Sequence, residues 1–450
     1  MLVVPKVVIP APYWGQPGHL GWVRVERFAR WLGAAGFEVV VVRAGSRDRS
    51  AQRRWGTEIT VRDPIGFFTD LPQGSVEAIP LRPKNLLRRY LAYVLLVPDP
   101  VVAWARRAAS RPSVREAIRG ADWVLASSPP ESAHVAAYRL AGSEGARLLV
   151  DLRDGWLDEP TLPLVPASRV QTARHRRLEA RILQRAERIV VTSEGWRRLL
   201  TERLPWTAER VTVLTNAYPE LPPSAAGGPR ASEDRDRRLM LLYAGKLFSS
   251  RSERRIEHLL EPIERGIRRS SNRGRLLFVG NLDVDERHQL GAWGERLTGS
   301  GWTVEVRPPV SRNEALQLMA SADGLLLLSS SSASIPAKLF DYLAVQRPIL
   351  AVAPRGSAVW EIGVDLPQVT LVALGDTGST SPCRDFVEHC RVSDVGYDLP
   401  ADFSEEHLRT RFLALFGRDA KAESNASGGD RGSDHRSPTS SSGSSSRVTS

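Results

Sequence analysis

Short apolar runs rich in Val, Ile and Leu recur along the chain, separated by longer stretches whose apolar positions fall three or four residues apart. The runs "KVVIPA", "FEVVVV", "DWVLAS", "RLLVDL", "RIVVTS" and "RVTVLT" lie in the first half, and "LMLLYA", "LLFVG", "WTVEVR", "GLLLLS" and "PILAVA" in the second. Their hydrophobicity is continuous rather than alternating, which predicts strands buried on both faces, as in a parallel sheet. Between them, Gly21–Gly33, Glu131–Ala141, Val170–Ala186, Arg254–Arg269 and Arg312–Ser321 carry helical spacing. Strand and helix in such alternation predict doubly wound α/β domains.

The alternation stops at "ELPPSAAGGPRASEDRDRR", where proline, glycine and charge without period mark a linker over residues 219–238. The linker divides the chain into a first domain at 1–218 and a second at 239–402. After them, "SEEHLRTRFLALF" predicts a closing amphipathic helix within 403–418, with Ser404 as its N-cap. Residues 419–450 are serine- and glycine-rich and predict a disordered tail.

At 450 residues the chain exceeds one ordinary core, which agrees with two domains. No apolar run reaches the ~18 residues needed to cross a bilayer. The opening "MLVVPKVVIPAPYWG" has neither a basic leader nor a small-residue cleavage site, and reads as a first strand. Cys383 and Cys390 are the only cysteines, too few for a disulfide framework, so a reducing cytoplasm is the expected compartment. With His389 between them they match no zinc spacing, and neither a metal nor a cofactor is expected.

The net charge of +11 predicts attraction to something anionic. No nucleic-acid-binding motif accompanies it, so nucleic acid is not an expected partner and the inner face of an anionic membrane is the better fit. The segment "NLLRRYLAYVLLVPDPVVAWA", residues 85–105, is flanked by Arg82, Lys84, Arg88, Arg89, Arg106 and Arg107. It reads either as a helix packed on the first domain or as a lipid-facing element beside an acceptor site.

Open parallel sheets bind ligands at the carboxyl ends of their strands. In "LLLLSSSSASIPAKLFDYLAVQRPIL" a buried strand is followed by a slack serine loop and then a helix whose first turns carry Lys338 and Asp341. Lys338 with the helix amides suits a diphosphate, and Asp341 suits sugar hydroxyls. The alternative is that the two side chains pair with each other. Tyr342 reads equally as a base-stacking ring or a core aromatic.

"IPAKLFDYLAVQRPIL" resembles the donor-site signature P-x-K-x-x-E-Y-L-A-x-G-x-P of GT-B glycosyltransferases of the family 4 type. In that resemblance Asp341 takes the place of the acid on the donor ribose, while Ala333 stands where the wider family has a second acid. "PYWGQPGHLGWVRVERFARWLGAAGFEVVVV" is similar to the family's opening glycine loop and R-x-x-x-F-A-x-x-L helix, which implies that Gly15 and Gly18 approach a sugar or phosphate. "SSPPESAHVAA" and "VDLRDGW" resemble the S-x-P-x-S-x-H and D-x-R-D-x-W pair, "VTVLTNAYPE" carries Asn216 where relatives show N-G, and "LLYAGKLFSSRSERR" resembles the start of the donor domain.

The resemblance implies a GT-B fold, with two Rossmann-like domains facing across a cleft. It further implies a glycosyltransferase of hexosyltransferase type that takes a nucleotide-sugar donor and a glycan or lipid-linked acceptor and retains the donor's anomeric configuration. Gly15, Gly18, Gly245, Lys246, Arg251, Ser334, Lys338, Asp341 and Tyr342 are its expected donor contacts. His134, Arg153, Asp154, Lys246 and Arg251 are its expected catalytic residues. Two cations, Lys246 and Arg251, at a crevice would offset the charge on a departing nucleotide diphosphate without a metal. His134 also reads as a capping or packing histidine, and Arg153 with Asp154 as a structural pair. Two other functions fit the same pattern: a nucleotide-sugar epimerase of this fold and a non-catalytic nucleotide-sugar-binding protein.

Overall fold

The computed structural model describes residues 4–16, 21–65, 96–158, 168–223, 238–247, 256–376, 381–392 and 397–417. Gly18, Arg251, most of the linker, residues 85–95 and the tail from 419 lie outside the described residues.

The apolar runs pair into two sheets. The first holds β1 (Lys6–Pro10), β2 (Glu38–Gly45), β3 (Arg49–Arg53), β4 (Gly56–Arg62), β5 (Trp123–Ser128), β6 (Arg147–Leu152), β7 (Arg188–Val191) and β8 (Val211–Val213). Its spatial order is β3-β4-β2-β1-β5-β6-β7-β8. The second holds β9 (Leu239–Ala244), β10 (Gly274–Val279), β11 (Trp302–Arg307), β12 (Gly324–Leu328), β13 (Ile349–Ala353) and β14 (Val369–Ala373), in the order β11-β10-β9-β12-β13-β14. Every pair is parallel except the β3–β4 hairpin. β5, β12 and β13 are buried along their whole length, because helices cover both faces.

Among the parallel strands the order reverses between β1 and β5 in the first sheet and between β9 and β12 in the second. Connections leave on opposite faces at such a point and open a crevice at the carboxyl edge. The loops from Ala11 and Pro129 flank the first crevice. Those from Gly245 and Ser329 flank the second.

Helices form where the spacing predicts them, at Gly21–Ala34, Ser132–Glu144, Arg169–Arg185, Glu257–Arg269 and Arg312–Ser321. The chain crosses between the sheets twice in one place. Tyr218, leaving the first sheet, bonds through its amide to the Phe403 carbonyl and through its hydroxyl to the Pro400 carbonyl. The helix Glu405–Ala414, capped by Ser404, then returns to the first sheet, where the Phe412 ring stacks on Phe28 at 4.2 Å.

Of the two readings of the segment 85–105, packing on the first domain is the one its described part supports. Val101, Val102, Trp104 and Ala105 are buried in the first core, so residues 96–105 face protein rather than lipid.

Candidate functional site

The second crevice is built on close backbone approaches. β9 is followed directly by Gly245, whose φ of +112° lies in the left-handed range that glycine alone adopts freely. The Gly245 carbonyl presses on Gly280, where a Cβ would lie 2.4 Å from that oxygen. Across this floor the Lys338 ammonium sits 3.8 Å over the Tyr243 ring, and 3.1 Å from where a Cβ on Gly245 would be. The Tyr243 hydroxyl donates to the Lys246 carbonyl at 2.7 Å, which fixes the backbone of Lys246 while its side chain stays exposed. Gly245, Lys246 and Lys338 therefore come together at the β9–β12 switch point.

Three neighbours have partners within the fold. Asp341 pairs with Arg312 at 2.8 Å rather than with Lys338. Burial pushes its carboxyl up, against the pull of Arg312, Arg27 and Lys338. Tyr342 has no exposed face for a base. It is fully buried, and its hydroxyl accepts the Ala244 amide at 3.0 Å, which ties the helix Lys338–Ala344 to the end of β9. The amides of Leu339 and Phe340 bond to the carbonyls of Pro336 and Ala337, so these early donors of the helix are closed into a turn instead of facing a ligand.

The serine loop is pinned, not slack. Ser331 Oγ accepts the amides of Ala333 and Ser334, and the Ser332 carbonyl accepts the amide of Ala358. The hydroxyls of Ser330 and Ser334 are buried without a hydrogen-bond partner among the described residues. The loop also meets the first sheet. Ser193, just past β7, donates its hydroxyl to the Ala333 carbonyl at 2.5 Å, and a Cβ on Gly195 would fall 2.7 Å from Ala333 Cα. Arg198 and Glu361 pair beside it at 2.5 Å. Since Ser193 and Ala333 each follow the carboxyl end of a strand, the carboxyl edges of the two sheets face one another.

In the first crevice the turn Ala11–Gln16 carries Gly15 at φ +66°, with Trp14 beneath it packed edge-on to Trp55 at 5.0 Å. His134 is not in the opening. It is fully buried, stacked 6.0 Å from Trp156, and burial pushes its imidazole down to about 3, so it is a neutral packing group out of reach of a substrate. Arg153 makes no ion pair with Asp154. Its guanidinium donates to the carbonyls of Ser128, Gly21 and Pro129 at 2.9, 2.8 and 2.6 Å and so holds the two crevice loops together. Asp154 stays half-buried beside it, its carboxyl raised by burial.

Two groups escaped the sequence reading. Glu131 begins the helix Ser132–Glu144 at this edge, its carboxyl pushed up to about 8 by burial and by the neighbouring Asp99. Its signal lay in the S-x-P-x-S-x-H run that contains it. Arg24 is bonded bidentately to the fully buried Asp151 at 3.0 and 2.9 Å, and donates to the carbonyls of Leu214 and Thr215 and to the side chain of Asn216. It is the arginine of the R-x-x-x-F-A-x-x-L run, and it braces β6 against the exit from β8.

Residues 21–217 match the family model described as "Glycosyl transferase 4-like domain". The match spans the first sheet and its helices, from the helix after β1 to the exit from β8. The described residues together have the GT-B fold. The catalytic domain of starch synthase IV from Arabidopsis thaliana, bound to ADP and acarbose, superposes with a TM-score of 0.60 at 10% identity, over 92% of this chain and 99% of that one. The α,α-trehalose 6-phosphate synthase from Burkholderia multivorans superposes with a TM-score of 0.57 at 13% identity, over 95% and 100%. HepE from Anabaena, in complex with UDP-glucose, gives 0.55 at 12% identity, over 92% and 99%. No curated protein matches the chain in sequence. The chain thus combines a stretch similar to a glycosyl transferase 4-like domain with the GT-B fold.

Proposed function

We propose that this GT-B glycosyltransferase moves a sugar from a nucleotide-sugar donor, held at the β9–β12 crevice of a donor domain at 239–402, to a glycan or lipid-linked acceptor at the β1–β5 crevice of an acceptor domain at 1–218. The observation that carries the reading is the Lys338 ammonium held against Gly245 and over the Tyr243 ring, beside exposed Lys246, at the switch point of the sheet. The complexes of neighbours with UDP-glucose and with ADP support a nucleotide there. Asp341 keeps one carboxylate oxygen on Arg312, and its other oxygen is the acceptor for a ribose hydroxyl.

In the transfer, the bond from the sugar's anomeric carbon to the diphosphate breaks, and a bond from that carbon to an acceptor oxygen forms. The leaving diphosphate gains charge as the bond lengthens, and Lys338 and Lys246 stabilise it without a metal. The acceptor hydroxyl loses its proton in the same event, and Asp154, half-buried at the facing edge, is the group assigned to hold it. The resemblance of the donor signature supports retention of configuration.

Incubating the protein with UDP-, GDP- and dTDP-sugars tests the reading. Slow release of free nucleotide, lost in Lys338→Ala, is expected. A changed sugar still bound to its nucleotide would make it an epimerase, and binding without turnover a non-catalytic receptor.

A further inference from the structure

The helix Arg169–Arg185 carries Arg169, Arg174, Arg176, Arg177, Arg181 and Arg185 against one acid, Glu179. That acid faces inward with Ile182 and Leu183, and bonds to Arg203 at 2.6 Å, so it neutralises nothing on the outer side. Arg174, Arg177 and Arg181, at i, i+3 and i+7, form one exposed row opposite the buried side. None of the three has an ion-pair partner among the described residues. Arginines elsewhere on the helices do pair, as Arg197 does with Glu194 at 2.6 Å and Arg268 with Glu264 at 3.1 Å. Like charges four apart weaken a helix, so the row costs the fold stability and calls for an anion from outside.

The surroundings indicate the anion's form. At the near end Val170 is 60% exposed. At the far end Arg210 holds the helix's last carbonyls, at Leu183, Gln184 and Ala186, and stacks 5.2 Å over Trp206, which is 40% exposed. A straight row ~10 Å long, on a helix with an exposed Val one turn before the row and an exposed Trp beyond the helix end, fits a flat surface with phosphates outside and hydrocarbon beneath. The row lacks the interleaved aromatics that stack bases. Because the helix follows β6, its first turns lie at the same carboxyl edge as the first crevice.

We propose that the outward face of the helix Arg169–Arg185 docks the protein on an anionic lipid bilayer, with headgroup phosphates on Arg174, Arg177 and Arg181. This deepens the proposed function by naming the acceptor as one carried at a membrane surface, and it rests on that reading only for its purpose.

Full-length protein is mixed with vesicles of phosphatidylcholine alone and with vesicles containing phosphatidylglycerol. The expected result is cosedimentation with the anionic vesicles only, released as salt is raised. Replacing the row together (Arg174→Gln, Arg177→Gln, Arg181→Gln) lowers the vesicle partition coefficient about 100-fold, with nucleotide release from donor sugar unchanged. Should that variant misfold, Arg177→Gln alone is expected to cost about fivefold. Equal binding to neutral vesicles, unchanged binding of the variants, or binding to an RNA oligonucleotide in preference to vesicles overturns the proposal. Vesicle binding without any nucleotide release leaves it standing and sinks the transferase reading instead.

Discussion

At the residue scale the donor crevice separates charge from packing. Lys338 lies over an aromatic face beside a glycine floor, while Tyr342, four positions on, is consumed by the core. Lys338 and Asp341 were legible as candidates, because a lysine and an acid one turn apart open the helix that follows a buried strand. Their partners were not legible: Arg312 and Tyr243 lie far from them in sequence and meet them only through the sheet. Lys338→Ala is expected to lower turnover on the order of 100-fold while changing donor affinity less, since the diphosphate's charge grows in the transition state. Asp341→Ala is expected to weaken donor binding by about 1.5–3 kcal/mol, the range for a charge-assisted hydrogen bond. Titration calorimetry beside steady-state kinetics checks both. Tyr342→Phe leaves the buried Ala244 amide without its acceptor, so it should cost about 1–3 kcal/mol of stability with little change in turnover per folded molecule. Glu131 makes a pH prediction. Its folded-state carboxyl, near 8, stands above its ordinary value of 4.5, so between those values the folded state binds more protons than the unfolded one. Its contribution to stability is complete below pH 4.5 and is lost as pH rises through 8. Glu131→Gln should therefore flatten the fall in melting temperature over that window, and a variant whose profile matches the parent's would remove Glu131 from the account.

At the element scale, strands were legible where burial on both faces made them continuously apolar. β3 and β4 were not, because "RSAQR" and "GTEITVR" form an edge hairpin with a polar outer side, and β14 was missed because half of "VTLVA" stays partly exposed. The serine loop misled for another reason. Small polar residues look slack in sequence, yet Ser331 closes two amides onto one hydroxyl and Ser193 reaches across from the other sheet. That contact has a test. Gly195 abuts Ala333 with no room for a side chain, so Gly195→Val must push the serine loop away from the helix Glu194–Arg203. Weakened donor binding is expected, together with a larger radius of gyration by small-angle scattering. Ser193→Ala, which adds no volume but removes two hydrogen bonds, the one to the Ala333 carbonyl and the N-cap bond from the Trp196 amide, should cost about 1–3 kcal/mol while leaving the molecule compact. A Gly195→Val protein as compact as the parent would mean that the two sheets do not depend on this contact to face each other.

At the scale of the whole molecule, the end of the described chain belongs to the core of its beginning. Phe412 is fully buried between Phe28 and Trp31 of the helix that follows β1, and Phe416 packs edge-on against Trp123 of β5 at 5.0 Å. Glu405, in the first turn of the same helix, accepts the Trp31 indole N–H at 2.9 Å and a guanidinium N–H of Arg30 at 3.3 Å. Sequence pattern announced an amphipathic helix here but not its destination, because nothing in a local period says which sheet a stripe will cover. The destination has an energetic consequence. Truncating a buried phenylalanine costs about 3–5 kcal/mol, a large part of the 5–15 kcal/mol that holds an ordinary domain folded. Phe412→Ala should accordingly loosen the first sheet, although the substitution lies beyond the last strand of the second. Hydrogen exchange resolves the question by location. Faster exchange is expected in β1, β2 and β5, with β10 and β13 protected as before, and Phe412→Leu should restore most of the protection by refilling the volume. Acceleration confined to the helix Glu405–Ala414 would mean that it rests on the first sheet without supporting it.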